Sequence, residues 1–423
     1  RLETLGVSEE AWADWLSTHR AAAGKPPVLR GVRVVNRSPV GDRIVLGQID
    51  LAVGEPLDIE RINTGLSRLY GLGYFDPVTF DVEPAPDGVT LVIEVDRRST
   101  GLATAQFGLQ LEDDFSGGNG YVIATRIQRI AINRRAGEWR ADLSLGERAG
   151  IRLNYYQPFD ARLKWFVSPS AYFEQERRYV VSDGMRLGEL LLDRYGIDFD
   201  IGRNLGRWGQ ASVGLRRGHG TGEVIVPEGL VDPVSVDVGS WNVKLLYDTL
   251  DAPTWPTRGG RGLLRYNERL ESLGSDTDSS DVELRATWAW SLGRNTIVPG
   301  AELGLAREDA GATRGFPLGG VFRLSGLEPD ELIGQEFVLG RVIFYHQLNR
   351  RRFRLLSPGW YVGCSLEAGN VFDGVEPVTG GNLIGAGSIF IAADTVVGPL
   401  QLGWGLAEGD RSRVYLSLGR SYF

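Results

Sequence analysis

The sequence is poor in the residues that most often carry chemistry. One cysteine in 423 residues, Cys364, permits no internal disulfide and no paired-cysteine metal site. The three histidines, His19, His219 and His346, lie far apart, and no second metal ligand accompanies any of them. Lysine is nearly missing: of 46 basic residues only Lys25, Lys164 and Lys244 are lysines. That bias reads as genomic composition, although arginine also suits paired, partly buried sites. No G-x-S-x-G nucleophile elbow occurs. Gly71-x-Gly73 and Gly385-x-Gly387 lack the further glycine and helix that hold a phosphate. A net charge of −8 leaves no basic excess for nucleic acid. We therefore expect no catalytic residue, no metal, no cofactor and no nucleic-acid partner. No run of 18 apolar residues is present, so no transmembrane helix is expected.

What is abundant is glycine and aromatic side chains. The 57 glycines are nearly twice ordinary usage, and the 16 Phe, 11 Trp and 14 Tyr exclude intrinsic disorder. Mean hydropathy is −0.14, which looks soluble. A transmembrane β-barrel gives the same average, because its strands alternate apolar and polar residues.

Three regions differ in period. Residues 1–27 read as a helix and linker with Trp12, Trp15 and Leu16 on one face, which packs either on the next domain or on a domain upstream. Arg1 is followed by no signal-peptide pattern, so a mature protein or excised fragment is expected. Residues 28–98 read as a small βααββ domain. A strand at 28–35 precedes a short helix at 42–48. In a second helix Ile59, Ile62, Leu66 and Leu69 repeat at 3/4 spacing, before strands at 78–83 and 89–96. From residue 99 to 423 the period becomes two. Tyr195, Ile197, Phe199 and Ile201 alternate with Gly196, Asp198 and Asp200; Leu400, Leu402, Trp404 and Leu406 alternate with Gln401, Gly403 and Gly405. The polar faces carry both signs of charge, as suits an aqueous lumen. Long connections (113–119, 175–185, 219–233, 275–280) alternate with short ones (134–137, 159–162, 293–295). About sixteen strands of roughly 9–11 spanning residues fit this length. The fold class expected is mainly β: a 16-stranded antiparallel transmembrane barrel after one small domain.

The segment Leu69 to Asp76, with Gly71, Gly73, Tyr74 and Phe75, resembles the helix-end signature of a POTRA (polypeptide-transport-associated) domain. With the barrel, it resembles the superfamily of outer-membrane assembly factors and two-partner secretion transporters. That family carries a long loop after the eleventh strand, folded into the lumen and bearing a V/I-R-G-F/Y tetrapeptide. Here residues 308–335 contain Arg323, Leu324, Ser325, Gly326 and Leu327, with Ser325 where the family arginine stands. The family's acidic partner on the thirteenth strand corresponds to Glu367, followed by Gly369 and Asp373. Asp248 to Gly259 resembles the family's D-x-x-x-x-P-T-R-G turn between the eighth and ninth strands. The pattern F-x-L-S-G-x-x-x-x-E-L-x-G resembles the C-terminal half of patatin-like type V secretion proteins.

The resemblance implies a translocator that secretes or displays an N-terminal, lipolytic passenger, without catalysis on this chain. It implies a bacterial outer-membrane location with the POTRA domain in the periplasm. Its partners would be membrane lipid, its own passenger and the barrel assembly machinery, as monomer or homodimer. The alternatives are an insertase or assembly factor, and a passive plugged anchor. Arg323, extended two residues before Ser325 and facing the same side, is the expected partner of Glu367; a Ser325 hydroxyl bond is the alternative. The barrel seam is expected between a first strand running from Leu102 to Glu112 and a last one running from Arg413 to Phe423. Phe423 falls out of phase with Val414, Leu416 and Leu418, which a bulge near Arg420 would reconcile.

Overall fold

A computed structural model describes residues 26–113, 119–182, 185–226, 232–308, 315–349, 359–372, 382–395 and 398–419. The expected helix at Trp12 and Trp15, Asp373, and the terminal aromatics lie outside these residues. The chain forms two compact units that divide after Gly101.

In the first, strand β1 (Leu29–Arg37) leads through helices α1 (Asp42–Gln48) and α2 (Ile59–Gly71) to strands β2 (Phe75–Ala85) and β3 (Gly88–Arg97). The sheet order is β1-β3-β2, with β1 parallel and β2 antiparallel to β3. Asp58 caps α2, its carboxylate accepting from the Glu60 and Arg61 N–H groups at 2.9 and 3.1 Å. Ile62 and Leu69 are fully buried, as are the sheet residues Leu91 and Ile93. Gly73 takes φ +72°, which turns the chain out of the helix and buries Tyr74 and Phe75 edge to face. No helix of the described residues is long and apolar enough to cross a membrane.

The second unit is a closed antiparallel barrel of sixteen strands among the described residues. The first eight are β4 (Ala103–Asp113), β5 (Asn119–Arg129), β6 (Glu138–Gly146), β7 (Arg148–Pro158), β8 (Trp165–Ser182), β9 (Met185–Asn204), β10 (Gly209–Val226) and β11 (Val234–Asp248). Then come β12 (Gly259–Arg269), β13 (Ser279–Leu292) and β14 (Asn295–Glu308). A loop holding a two-stranded ribbon, β15 (Phe316–Leu318) and β16 (Leu332–Gly334), separates β14 from β17 (Glu336–Gln347). The ring ends with β18 (Gly359–Phe372), β19 (Ile384–Thr395), β20 (Gly398–Ala407) and β21 (Arg411–Leu418).

Three expectations about strand limits are corrected. Most of 175–185 and 219–233 is strand, because β8, β9 and β10 run 18, 20 and 18 residues and stay paired beyond the length a bilayer needs. Their charges and glycines, such as Glu176, Arg177, Gly220 and Gly222, read as connections rather than as alternating strand. The third concerns Leu102, which the expected seam strand included. It precedes β4, which begins at Ala103. Leu102 is 5 % exposed, and its carbonyl accepts from the Ile130 N–H at 2.9 Å, just past the end of β5. Leu102 falls in the polar phase of the strand, with Thr104 and Gln106, and is buried at its foot without being part of the wall.

The apolar face of the barrel points outward. On β18 Trp360, Val362 and Leu366 are exposed, whereas Tyr361, Ser365 and Glu367 are buried in the lumen. Cys364 belongs to the outer face. Trp139, Trp165, Trp208, Trp288, Trp290 and Trp360 are all exposed, at or near the strand ends on the rim where β4 begins. Such a girdle marks a membrane–water interface.

Candidate functional site

The loop after β14 enters the lumen and seats on the wall formed by β14 and β17 to β21. Its own apolar residues come first: Leu318, Leu324 and Leu327 are fully buried and pack on Phe337 and Leu339 of β17. Between them the chain turns tightly rather than extending. Phe322 and Leu324 adopt φ +59° and +75°, and the Arg323 and Leu327 N–H groups donate to the Gly320 and Leu324 carbonyls, each at 2.9 Å. Left-handed non-glycine residues cost on the order of 1–3 kcal/mol each, so something must hold them.

Glu367 does so. Its Oε2 accepts from the Leu324 and Ser325 N–H groups at 2.6 and 2.7 Å, and its Oε1 accepts from the Ser325 and Ser365 hydroxyls at 2.6 and 2.5 Å. The Ser325 hydroxyl also accepts from the Phe322 N–H at 2.9 Å, so one side chain closes the turn and meets the wall. Hydrogen bonds to a charged group contribute roughly 1.5–3 kcal/mol each, more than the turn costs. Only 5 % of Glu367 is exposed with the loop seated, so the docked carboxylate depends on these donors in place of water.

The expected Arg323–Glu367 pair is therefore corrected. The turn defeats the two-residue parity argument and sends Arg323 to Glu302 on β14, with Nε 3.3 Å from Oε2. Arg341 on β17 stands between the two acids. It lies opposite Glu367 in register, yet pairs with Glu302 at 2.9 Å and donates to the Phe322 carbonyl at 3.1 Å. Gly369 is on the same wall but its missing side chain makes room for β17, not for the loop.

On the other side the loop meets the last two strands. A Cβ on Gly326 would strike the backbone of Leu406 and Ala407, and one on Gly405 would strike the Ser325 carbonyl, so two glycines face each other at backbone contact. Arg413 pairs with Glu328 at 3.2 Å and Arg411 with Glu331 at 2.8 Å. Glu302, Arg341 and Arg411 were not singled out in the sequence, and Arg413 only as a strand limit. Their signal is phase: each falls on the lumen face of its strand, opposite the apolar set.

A second insertion comes from the turn between β11 and β12. Trp255 is 5 % exposed and stacks on Tyr361 with ring centroids 4.8 Å apart. Asp251 fastens this turn, accepting from the Thr257 and Arg258 N–H groups at 2.8 and 3.2 Å and from the Thr257 hydroxyl. Burial pushes its carboxyl up, but these hydrogen bonds outweigh that and hold it below the usual carboxylate range.

The rest of the lumen is open. A cavity of about 590 Å³ lies between the loop residues Arg323 and Asp330 and the wall from β4 to β9. That wall is a ladder of ion pairs, including Arg126–Asp142 at 2.6 Å, Arg152–Glu174 at 2.7 Å and Arg194–Glu176 at 2.9 Å. At the closing point, β21 pairs with β4 only through Leu416, Ser417 and Leu418 against Asp113, Glu112 and Leu111 among the described residues. The expected seam is corrected accordingly. Its Glu112 end is paired, whereas Leu102 at the other end turns to Ile130 instead of β21, and Phe423 lies outside the described residues. Among the described residues no three His, Cys, Asp or Glu side chains gather as a metal site.

An outward apolar wall, an aromatic rim and a charged, loop-filled lumen define a transmembrane β-barrel, preceded in the chain by a small βααββ domain. Residues 27–98 match the POTRA family, described as surface antigen variable number repeat. Among solved structures, the chain resembles BamA from Haemophilus ducreyi lacking POTRA domains 1–3, with TM-score 0.74 and 14 % identity over 94 % of this chain and 85 % of that one. It also resembles CdiB from Acinetobacter baumannii, with TM-score 0.62 and 11 % identity over 94 % and 74 % of the two chains. CdiB from Escherichia coli gives TM-score 0.60 and 12 % identity over 93 % and 77 %. At such identities the likeness is one of fold. No curated protein matches the chain in sequence.

Proposed function

We propose that this chain is the translocator module of a patatin-like type V secretion protein, moving or displaying an N-terminal passenger across the outer membrane. The observation that carries the reading is the serine turn. In F-x-L-S-G-x-x-x-x-E-L-x-G every lettered residue has a wall or core partner: Phe322 on Phe390, Leu324 and Leu332 in the loop's apolar cluster, Ser325 on Glu367, Gly326 on β20, Glu331 on Arg411, and Gly334 against β18. The pattern that sets the serine variant apart is thus a complete docking code. In this reading an edge strand of the POTRA sheet, β1 or β2, takes up unfolded chain by strand addition, and the short β21–β4 ladder is the weak point of the ring. Catalysis, where present, belongs to the passenger.

The test is surface display. An epitope placed in the passenger of the complete gene product becomes sensitive to protease on intact cells, and Glu367→Ala reduces that sensitivity while the barrel still folds. A passenger that remains periplasmic beside a folded wild-type barrel sinks the reading. A second reading, an assembly factor that inserts other barrels, is favoured by one observation: the higher TM-score against BamA than against CdiB. Purified protein in liposomes that accelerates folding of an unrelated barrel would establish it.

A further inference from the structure

We propose that the turn between β11 and β12 is a second plug, closing the lumen from the rim opposite the loop, and that Trp255 and the loop hold one another through Phe390. A turn on that rim would ordinarily face water, with its tryptophan in the outer girdle where six others lie. Trp255 points the other way and is the one buried tryptophan among the described residues. It enters a lumen pocket whose walls are made to receive it: Ala289, Val298 and Ala392 are small and buried, and Tyr345, Tyr361 and Phe390 surround the indole. The ring lies flat on Tyr361 at 4.8 Å, edge-on to Tyr345 at 5.2 Å and stacked on Phe390 at 6.0 Å. The Tyr345 hydroxyl donates to the Pro256 carbonyl, and the Ser291 hydroxyl donates to the Thr257 carbonyl at 2.7 Å. With Asp251 these fix both arms of the turn.

Phe322 of the loop meets the same Phe390 edge to face at 5.3 Å. Phe322 is also one of the two left-handed residues of the serine turn, and its carbonyl accepts from Arg341. Phe390 is therefore shared by two insertions from opposite rims. Removing either one bares a face of Phe390 and loosens the ring on which the other packs, so the two closures open together rather than in turn. This holds whatever the barrel transports.

The test uses the purified full chain in planar bilayers and in liposomes, with no passenger assay. Trp255→Ala and Phe322→Ala each raise basal conductance. Trp255→Ala also speeds protease cleavage within residues 319–331 by about 2- to 10-fold, the worth of an aromatic contact. The double variant exceeds the larger single variant by less than the product of the two effects. Trp255→Phe stays close to wild type. Should Trp255→Ala lose the heat-modifiable gel mobility of a folded barrel, Trp255→Leu keeps the apolar volume and removes the stack. Higher conductance with unchanged loop cleavage, or strictly multiplicative effects, overturns the coupling. No change in either readout overturns the plug.

Discussion

Strands β8 and β9 pair at eighteen positions, whereas β21 and β4, closing the same ring, pair at three among the described residues. Ladder hydrogen bonds in a bilayer have no water to replace them, so pairing length decides where a barrel is firm. The long hairpin holds itself. The last strand is held differently: β20 pairs with it on one side at eight positions, and from inside the lumen the loop grips it through Arg411 and Arg413. Interior packing substitutes for a neighbour's backbone. The wall that is weakest in its ladder is the wall against which the loop is seated, and the opposite wall faces the open cavity.

That contrast can be broken in order of effect. Cross-linking the seam through Glu112→Cys and Ser417→Cys, in a Cys364→Ser background, is expected to abolish passenger display under oxidising conditions, with reductant restoring it. The same lock across the long hairpin, Gln175→Cys with Asp193→Cys, leaves display intact; equal loss from both would dissolve the distinction. Glu367→Ala leaves two backbone N–H groups and two hydroxyls without their acceptor and is expected to lower stability by about 3–5 kcal/mol, read from the denaturant dependence of the folded gel species. Ser325→Ala removes the hydroxyl bond to Glu367 and the acceptor of the Phe322 N–H, and costs about 1.5–3 kcal/mol by the same measurement.

The smallest effect lies outside the ring. The Arg37 guanidinium, hydrogen-bonded to Asp96, holds its carboxyl below the usual range. A lowered folded value contributes stability in full above about pH 3.9 and loses it as pH falls through that lowered value. Arg37→Ala is expected to move the Asp96 titration back up toward about 3.9, followed by NMR, and to leave display unchanged. Both groups are solvent-exposed, so salt weakens the effect.

Much of this was legible in the chain. Period-two alternation marked the sixteen strands and the lumen side of Glu367, because a face buried or bathed in lipid constrains every second residue. The loop's position and Ser325 were readable from motif order, and the Ser325–Glu367 bond stood as the alternative contact. The turn was not: parity assumes extended backbone, and Phe322 and Leu324 leave that region, so Arg323 swings to a different acid. The extension of β8 to β10 was hidden by composition. Charges and glycines such as Glu176, Arg177, Gly220 and Gly222 resemble a loop although the strands stay paired. Leu102 misled in yet another way, since burial beneath the strand asks for the same residue type as the strand's apolar face. Trp255 was visible as part of a turn motif, but its inward direction depends on small residues at 289, 298 and 392, far away in sequence.

The six tryptophans on one rim have a use beyond anchoring. The chain's eleven include Trp12 and Trp15, outside the described residues, and Trp255, shielded in the lumen. Trp241 and the exposed Trp404 lie farther along the wall, so most but not all of the outward-facing indole sits at a single leaflet, and quenchers attached at graded positions on the acyl chain will read that leaflet above all. The protein carries its own depth gauge, able to time when the rim where β4 begins reaches its final level during insertion, with no label added.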